Sequence, residues 1–208
     1  MLDRTRRLWE MQNRPVGDRQ ALFAAVAEAV VASKVLYPGS YVDLSPSFVW
    51  TSVTYVDVDR RAAQFFGDGD GVQQLLVEHG VDPGTFAVRF ISADYTEELG
   101  LDDGAFDLLV SLYAGFISEP CRRYLRMGGT LLVGPSHGDA AMASLDPRYR
   151  LAAVVTARSG RYSVSSHALD SYLVPKRGVE VTRESVHASG RGVAYTKSPF
   201  AYLFERIS

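Results

Sequence analysis

Thiols are almost absent from this chain. Its one cysteine, Cys121, cannot form an internal disulfide, and no cysteine or histidine stands at ligand spacing to organise a zinc site with it. Long apolar runs are missing too. Every apolar stretch falls well short of the ~20 residues a membrane helix needs, and no leader combines basic residues, an apolar run and a small-residue cleavage site. The expectation is a soluble, cytoplasmic protein with no membrane partner. Charge of one sign is also scarce. A net charge of -2 argues against nucleic acid as a partner. The N-terminal arginines Arg4, Arg6, Arg7, Arg14 and Arg19 are diluted by Asp3, Glu10 and Asp18, which reads as a solvated helix face. No Gly-x-Gly-x-x-Gly follows the first strand candidate, which disfavours a dinucleotide oxidoreductase. Internal repeats, low-complexity tracts and long linkers are absent, and the sequence does not set an oligomeric state.

What is present fits one full-sized core. The chain has 208 residues, 47% hydrophobic and 22% charged, and reads as a single domain over 1–208. An N-terminal helical portion, 1–33, opens with a short surface helix broken at Pro15 and Gly17. A second helix, capped by Asp18, places Leu22, Phe23, Val26, Val30 and Val31 on one apolar face. Short β-branched, aromatic or leucine-rich runs then mark strands at 34–37, 52–56, 86–91, 106–112 and 130–133. Helical spacing falls at 60–66, 72–79 and 120–126. Strands alternating with helices predict an α/β fold: a doubly wound, mostly parallel central sheet with helices on both faces. Past residue 136 the pattern changes. A small-residue helix at 139–144 precedes strand-like runs at 151–156, 161–165, 171–174 and 202–206, so a β-rich portion from about 146 to 208 supplies an antiparallel C-terminal edge.

Ligands of open α/β sheets sit outside the carboxyl ends of the strands, where helix N-termini and turn amides converge. That rule selects the residues that follow each strand. After the first come Tyr37, Pro38 and Gly39, and the glycine permits a sharp turn or close approach of a ligand. Asp57 follows the second strand, where a carboxylate can accept both hydroxyls of a ribose or cap the next helix, a role Asp59 can also fill. Asp94 ends the third strand, either to accept from an adenine amino group or to close its own turn. Ser111 ends the fourth. Tyr37 and Tyr113 are pocket walls or packing residues; His137 is a base facing a substrate or a solvated loop histidine. His79, His167 and His187 show no metal-ligand spacing, and Cys121 reads as a small core residue.

These runs carry a resemblance. Val35-Leu36-Tyr37-Pro38-Gly39-Ser40, Val53-Thr54-Tyr55-Val56-Asp57-Val58-Asp59, Ser92-Ala93-Asp94, Phe106-Asp107-Leu108-Leu109-Val110-Ser111 and the stretch from Leu125 to Val133 together resemble the class I S-adenosylmethionine-dependent methyltransferase family over roughly residues 34–135. The resemblance implies a Rossmann-like fold and S-adenosylmethionine as cofactor. Tyr37, Gly39, Asp57, Asp94 and Ser111 are the contacting residues it implies, with 111–113 bordering a small-molecule substrate. Methyl transfer from a sulfonium needs mainly alignment, so no catalytic residue is assigned. The first loop holds one glycine where the family usually has two or three, with Tyr41 at a usually small position, and 111–115 lacks the Asn/Asp-Pro-Pro-Tyr motif of amino-group methyltransferases. A non-catalytic protein of this fold, binding a nucleotide-like ligand or a protein partner, is the alternative reading.

Overall fold

A computed structural model describes residues 2–13, 19–176 and 181–208. The expected break at Pro15 and Gly17, the Asp18 cap and Arg14 lie outside them. Helix α1 (Asp3–Asn13) and helix α2 (Arg19–Ala29) precede strand β1 (Lys34–Pro38). Strand β2 (Ser52–Val56) leads into α3 (Arg60–Gly67) and α4 (Gly69–Glu78). Their starts are set by two aspartates. The Asp59 carboxylate accepts from Arg61 N, and Asp68 accepts from Gly71 N, each satisfying a donor that a helix start leaves open.

Strands β3 (Ala87–Ile91), β4 (Phe106–Ser111) and β5 (Leu125–Val133) follow, then α5 (Asp139–Leu145). The hairpin of β6 (Tyr149–Arg158) and β7 (Arg161–Ser165) precedes α6 (Arg183–Ser189) and β8 (Ala201–Arg206). All eight strands form one sheet in the order β3-β2-β1-β4-β5-β8-β6-β7. The first five in that order run parallel, while β8 pairs antiparallel with both β5 and β6, and β7 antiparallel with β6. The expected parallel sheet with an antiparallel C-terminal edge is what forms.

Period-two alternation sorts the core into two layers. Val35, Tyr37, Val53, Tyr55, Leu108 and Val110 point to one face, where Trp9, Phe23, Phe65 and Leu75 of α1 to α4 cover them. Leu36, Val56, Leu109, Leu131 and Val133 point to the other, under Met142 of α5, Val186 of α6 and Tyr124. Burial on both faces explains why these strands read as nearly continuous apolar runs.

Two expected elements are replaced. Instead of a helix at 120–126 there is a single 3-10 turn, Arg122–Tyr124, and β5 already begins at Leu125. Pairing steps from Phe106 opposite Leu125 to Leu108 opposite Thr130, so Gly128 and Gly129 sit in a bulge, Gly128 at φ +70°, and do not end a helix. Around 171–174 no strand forms. Ala168 and Leu173 both take positive φ on either side of the Leu169–Ser171 turn, which breaks extended pairing, and only an isolated bridge joins Pro175 to Tyr195.

Candidate functional site at the carboxyl edge

From β1 the chain moves outward to β2 and β3, then returns to the opposite side of β1 to lay down β4. The carboxyl ends of β1 and β4 therefore flank the switch point of the sheet, where such folds open a crevice. The fold is doubly wound and Rossmann-like.

At the switch point the turns after β1 and β4 touch. Gly39 has φ +63°, and a Cβ built there would lie 2.2 Å from the Ala114 Cβ. The glycine is needed because another loop occupies its side-chain space, as well as for its turn. Tyr41 also lies in the left-handed region, at φ +49°. The backbone thus keeps a conformation that favours glycine at a position where the sequence has tyrosine. Asp57 holds it there: one carboxylate oxygen accepts from Tyr41 N at 2.7 Å and the other from Asp59 N at 2.8 Å. Since Asp59 caps α3, Asp57 is not the cap, and each of its oxygens keeps acceptor capacity beyond one backbone donor.

Tyr37 is a packing residue as far as its ring is concerned. It is buried between Phe23 and Tyr55, and its hydroxyl donates to Asp43 Oδ2 at 3.2 Å. Burial, then the neighbouring Asp43 charge, pushes its phenol well above the usual range. Asp43 is itself buried and accepts from Ser45 N.

Against this carboxylate lies Arg19, whose Nη1 is 3.1 Å from Asp43 Oδ2. Arg19 is a correction to the solvated arginine face, being only 7% exposed. Its first-turn position on α2 aims it inward, and its guanidinium sits 4.8 Å from the Tyr113 ring centre in the loop after β4. Within the described residues its Nε and Nη1 lack a hydrogen-bond partner, the Asp43 contact falling outside hydrogen-bond geometry. A buried guanidinium with unsatisfied donors is costly unless an acceptor meets it.

Asp94 is exposed in the turn after β3, with Oδ1 accepting from Thr96 N and Oγ1; the backbone donor is the first reason its carboxyl lies below the ordinary range. Ser111 is buried, and its hydroxyl donates to Asp139 Oδ2 at 2.5 Å. Asp139 also accepts from Ile117 N and Ser118 N, so it ties β4, the following loop and α5 together. Burial pushes its carboxyl up against the pull of those donors. His137 pairs with neighbouring Ser136. No cluster of metal-ligating side chains occurs among the described residues, and none of their helices is long and apolar enough to cross a membrane.

No family model and no curated protein matches the chain. Solved structures do. YcgJ from Bacillus subtilis is similar at 20% identity over 60% of this chain and 54% of its own, with a TM-score of 0.41. The chain thus spans about half of that protein. Cofactor-bound Rv0187 from MTB is similar at 13% identity, over 77% of this chain and 84% of its own, with a TM-score of 0.49. The O-methyltransferase TomG from Streptomyces achromogenes, involved in tomaymycin synthesis and solved with S-adenosylmethionine, gives 12% identity, 79% and 87% coverage and a TM-score of 0.47.

Two groups at this edge had no separate signal in the sequence. Arg19 was indistinguishable from its solvated neighbours, because only the tertiary fold buries it. Glu119 and His187 are far apart in the chain, yet His187 Nε2 lies 2.8 Å from Glu119 Oε2.

Proposed function

We propose that the chain binds S-adenosylmethionine across the carboxyl ends of β1 and β2 and is a methyltransferase for a small-molecule acceptor. The observation that carries this is that Arg19, beside the buried Asp43 carboxylate but with two unsatisfied donors, and the preset Asp57 carboxylate both stand at this edge. A ligand with a carboxylate at one end and a ribose at the other complements both. Arg19 would hold the methionine carboxylate, completing the hydrogen bonds its guanidinium lacks. Asp57 would accept from the ribose hydroxyls, already oriented by Tyr41 N and Asp59 N. The Gly39 turn would seat the loop after β1 against the loop after β4 beside the ligand, and Asp94 would lie toward adenine. Ser111 would act indirectly, by fixing the loop after β4 through Asp139. Tyr37 would contribute its backbone, its ring being packed in the core.

When bound, the sulfonium supplies an already activated methyl group, so the residues described have to align and exclude water more than to activate. Calorimetry with S-adenosylhomocysteine and with 5′-methylthioadenosine, which lacks the amino-acid carboxylate, tests the arrangement. Arg19→Gln should weaken the first ligand by about 1.5–3 kcal/mol and leave the second within about 0.5 kcal/mol. Equal losses for both, or no binding of either by the unaltered protein at millimolar ligand, would overturn it.

A further inference from the structure

At the opposite end of the sheet from the switch point, a cavity of about 470 Å³ opens between the end of α2 and the strands β5, β8, β6 and β7. Its volume lies in the range of small-molecule sites. Space is left there because the lining residues Ala29, Gly128, Ala152 and Ala153 are small. Val30, Ala153, Val164 and Leu203, all part of the core layer beneath α1 to α4, give the cavity an apolar surface.

Two opposite charges share this lining, Arg126 from the start of β5 and Glu205 from β8. Among the described residues they do not pair with each other. Each is held instead by a residue outside the cavity. Arg126 Nε donates to Asp107 Oδ1 at 2.6 Å, and Asp107 is itself fixed by Ser33 N, Ser33 Oγ and Lys34 N. Glu205 Oε2 accepts from Arg150 Nη2 at 2.5 Å. With Arg126 Nη1 donating to Met127 O, the guanidinium keeps Nη2 and the carboxylate keeps Oε1 without a partner among the described residues. Thr130, opposite Glu205 in the β5–β8 register, adds a hydroxyl to the same lining.

We propose that this cavity binds a free α-amino acid with a branched aliphatic or aromatic side chain. Arg126 takes the carboxylate and Glu205 the ammonium, each through a charge-assisted hydrogen bond. The ligand side chain lies on Val30, Ala153, Val164 and Leu203, where its burial adds the apolar contribution. A simple anion would meet Glu205 and a simple cation would meet Arg126, so like-charge repulsion disfavours both. A peptide terminus carries only one of the two charges. The complement of the whole lining is a zwitterionic head on an apolar body. This site lies at the amino ends of the parallel strands and is separate from the crevice at their carboxyl ends.

Calorimetric titration of leucine and of phenylalanine into the full chain near neutral pH tests the assignment. Both should bind. N-acetylleucine, which lacks the ammonium, and leucinamide, which lacks the carboxylate, should each bind at least about tenfold more weakly than leucine. Glu205→Gln should erase the preference for leucine over N-acetylleucine, and Arg126→Gln the preference over leucinamide. Ala29→Trp, which fills the cavity from an exposed position of its wall, should abolish binding. Arg19→Gln, at the other end of α2, should leave leucine binding unchanged. No heat from either amino acid at millimolar concentration, or equal affinity for leucine and its two blocked forms, would overturn the proposal. Loss of leucine binding in Arg19→Gln would also overturn it, by placing the amino acid in the crevice at the carboxyl edge. So would a dimer in sedimentation that Ala29→Trp dissociates, since the cavity would then be an interface between two copies of the chain.

Discussion

Replacing Gly39 by alanine tests whether the switch point is built as described. The substitution adds one methyl group to a residue at φ +63°, directly against Ala114 Cβ at 2.2 Å. Holding an L-residue in the left-handed region costs roughly 1–2 kcal/mol. Forcing a methylene-sized group into occupied space costs typically about 1–3 kcal/mol. Together they predict a loss of about 2–5 kcal/mol, a large share of the roughly 5–15 kcal/mol that stabilises an ordinary domain. Urea denaturation followed by tryptophan fluorescence should show a lower midpoint with an unchanged slope. Adding Ala114→Gly separates the two contributions. It removes the clash and leaves the backbone cost, so the double variant should regain about 1–3 kcal/mol relative to the sum of the single losses. A Gly39→Ala protein within about 0.5 kcal/mol of the unaltered one, or a coupling near zero, would refute contact between the two loops.

Asp139→Ala should cost at least about 3 kcal/mol by denaturant midpoint, because buried donors of Ser111, Ile117 and Ser118 lose their acceptor; Asp139→Asn, keeping one oxygen, should cost less. Asp107 is partly buried, yet Arg126 and donors of Ser33 and Lys34 hold its carboxyl far below the ordinary range. A depressed folded pKa gives stability that is present above about pH 4 and fades as pH falls further. The stability difference between the unaltered protein and Asp107→Asn should therefore shrink in acid, measured by denaturation at stepped pH. Burial pushes the Cys121 thiol up to about 12. Iodoacetamide should accordingly label it at neutral pH only after unfolding, as read by mass spectrometry.

Most of the sheet was legible because β1, β2 and β4 are covered on both faces, which leaves unmistakable apolar runs. The stretch before β5 was misleading for a physical reason. Cys121, Tyr124 and Leu125 have helical spacing, but they serve as buried anchors of a tight turn, while Gly128 and Gly129 make a bulge inside the strand. At the edge the acids were visible because strand ends can be read in one dimension. Their division of labour was not: Asp59, rather than Asp57, caps α3, a distinction set by which amides the fold turns toward each carboxylate. Arg19 and the Glu119–His187 pair depend on contacts across the fold, for which local patterning carries no signal.

A titration of S-adenosylhomocysteine into the unaltered chain and into Asp57→Ala bears most directly on the central claim. Binding by the unaltered protein, weakened by about 1.5–3 kcal/mol in the variant, is the predicted result. No heat at millimolar ligand, or the same affinity in both proteins, would contradict it.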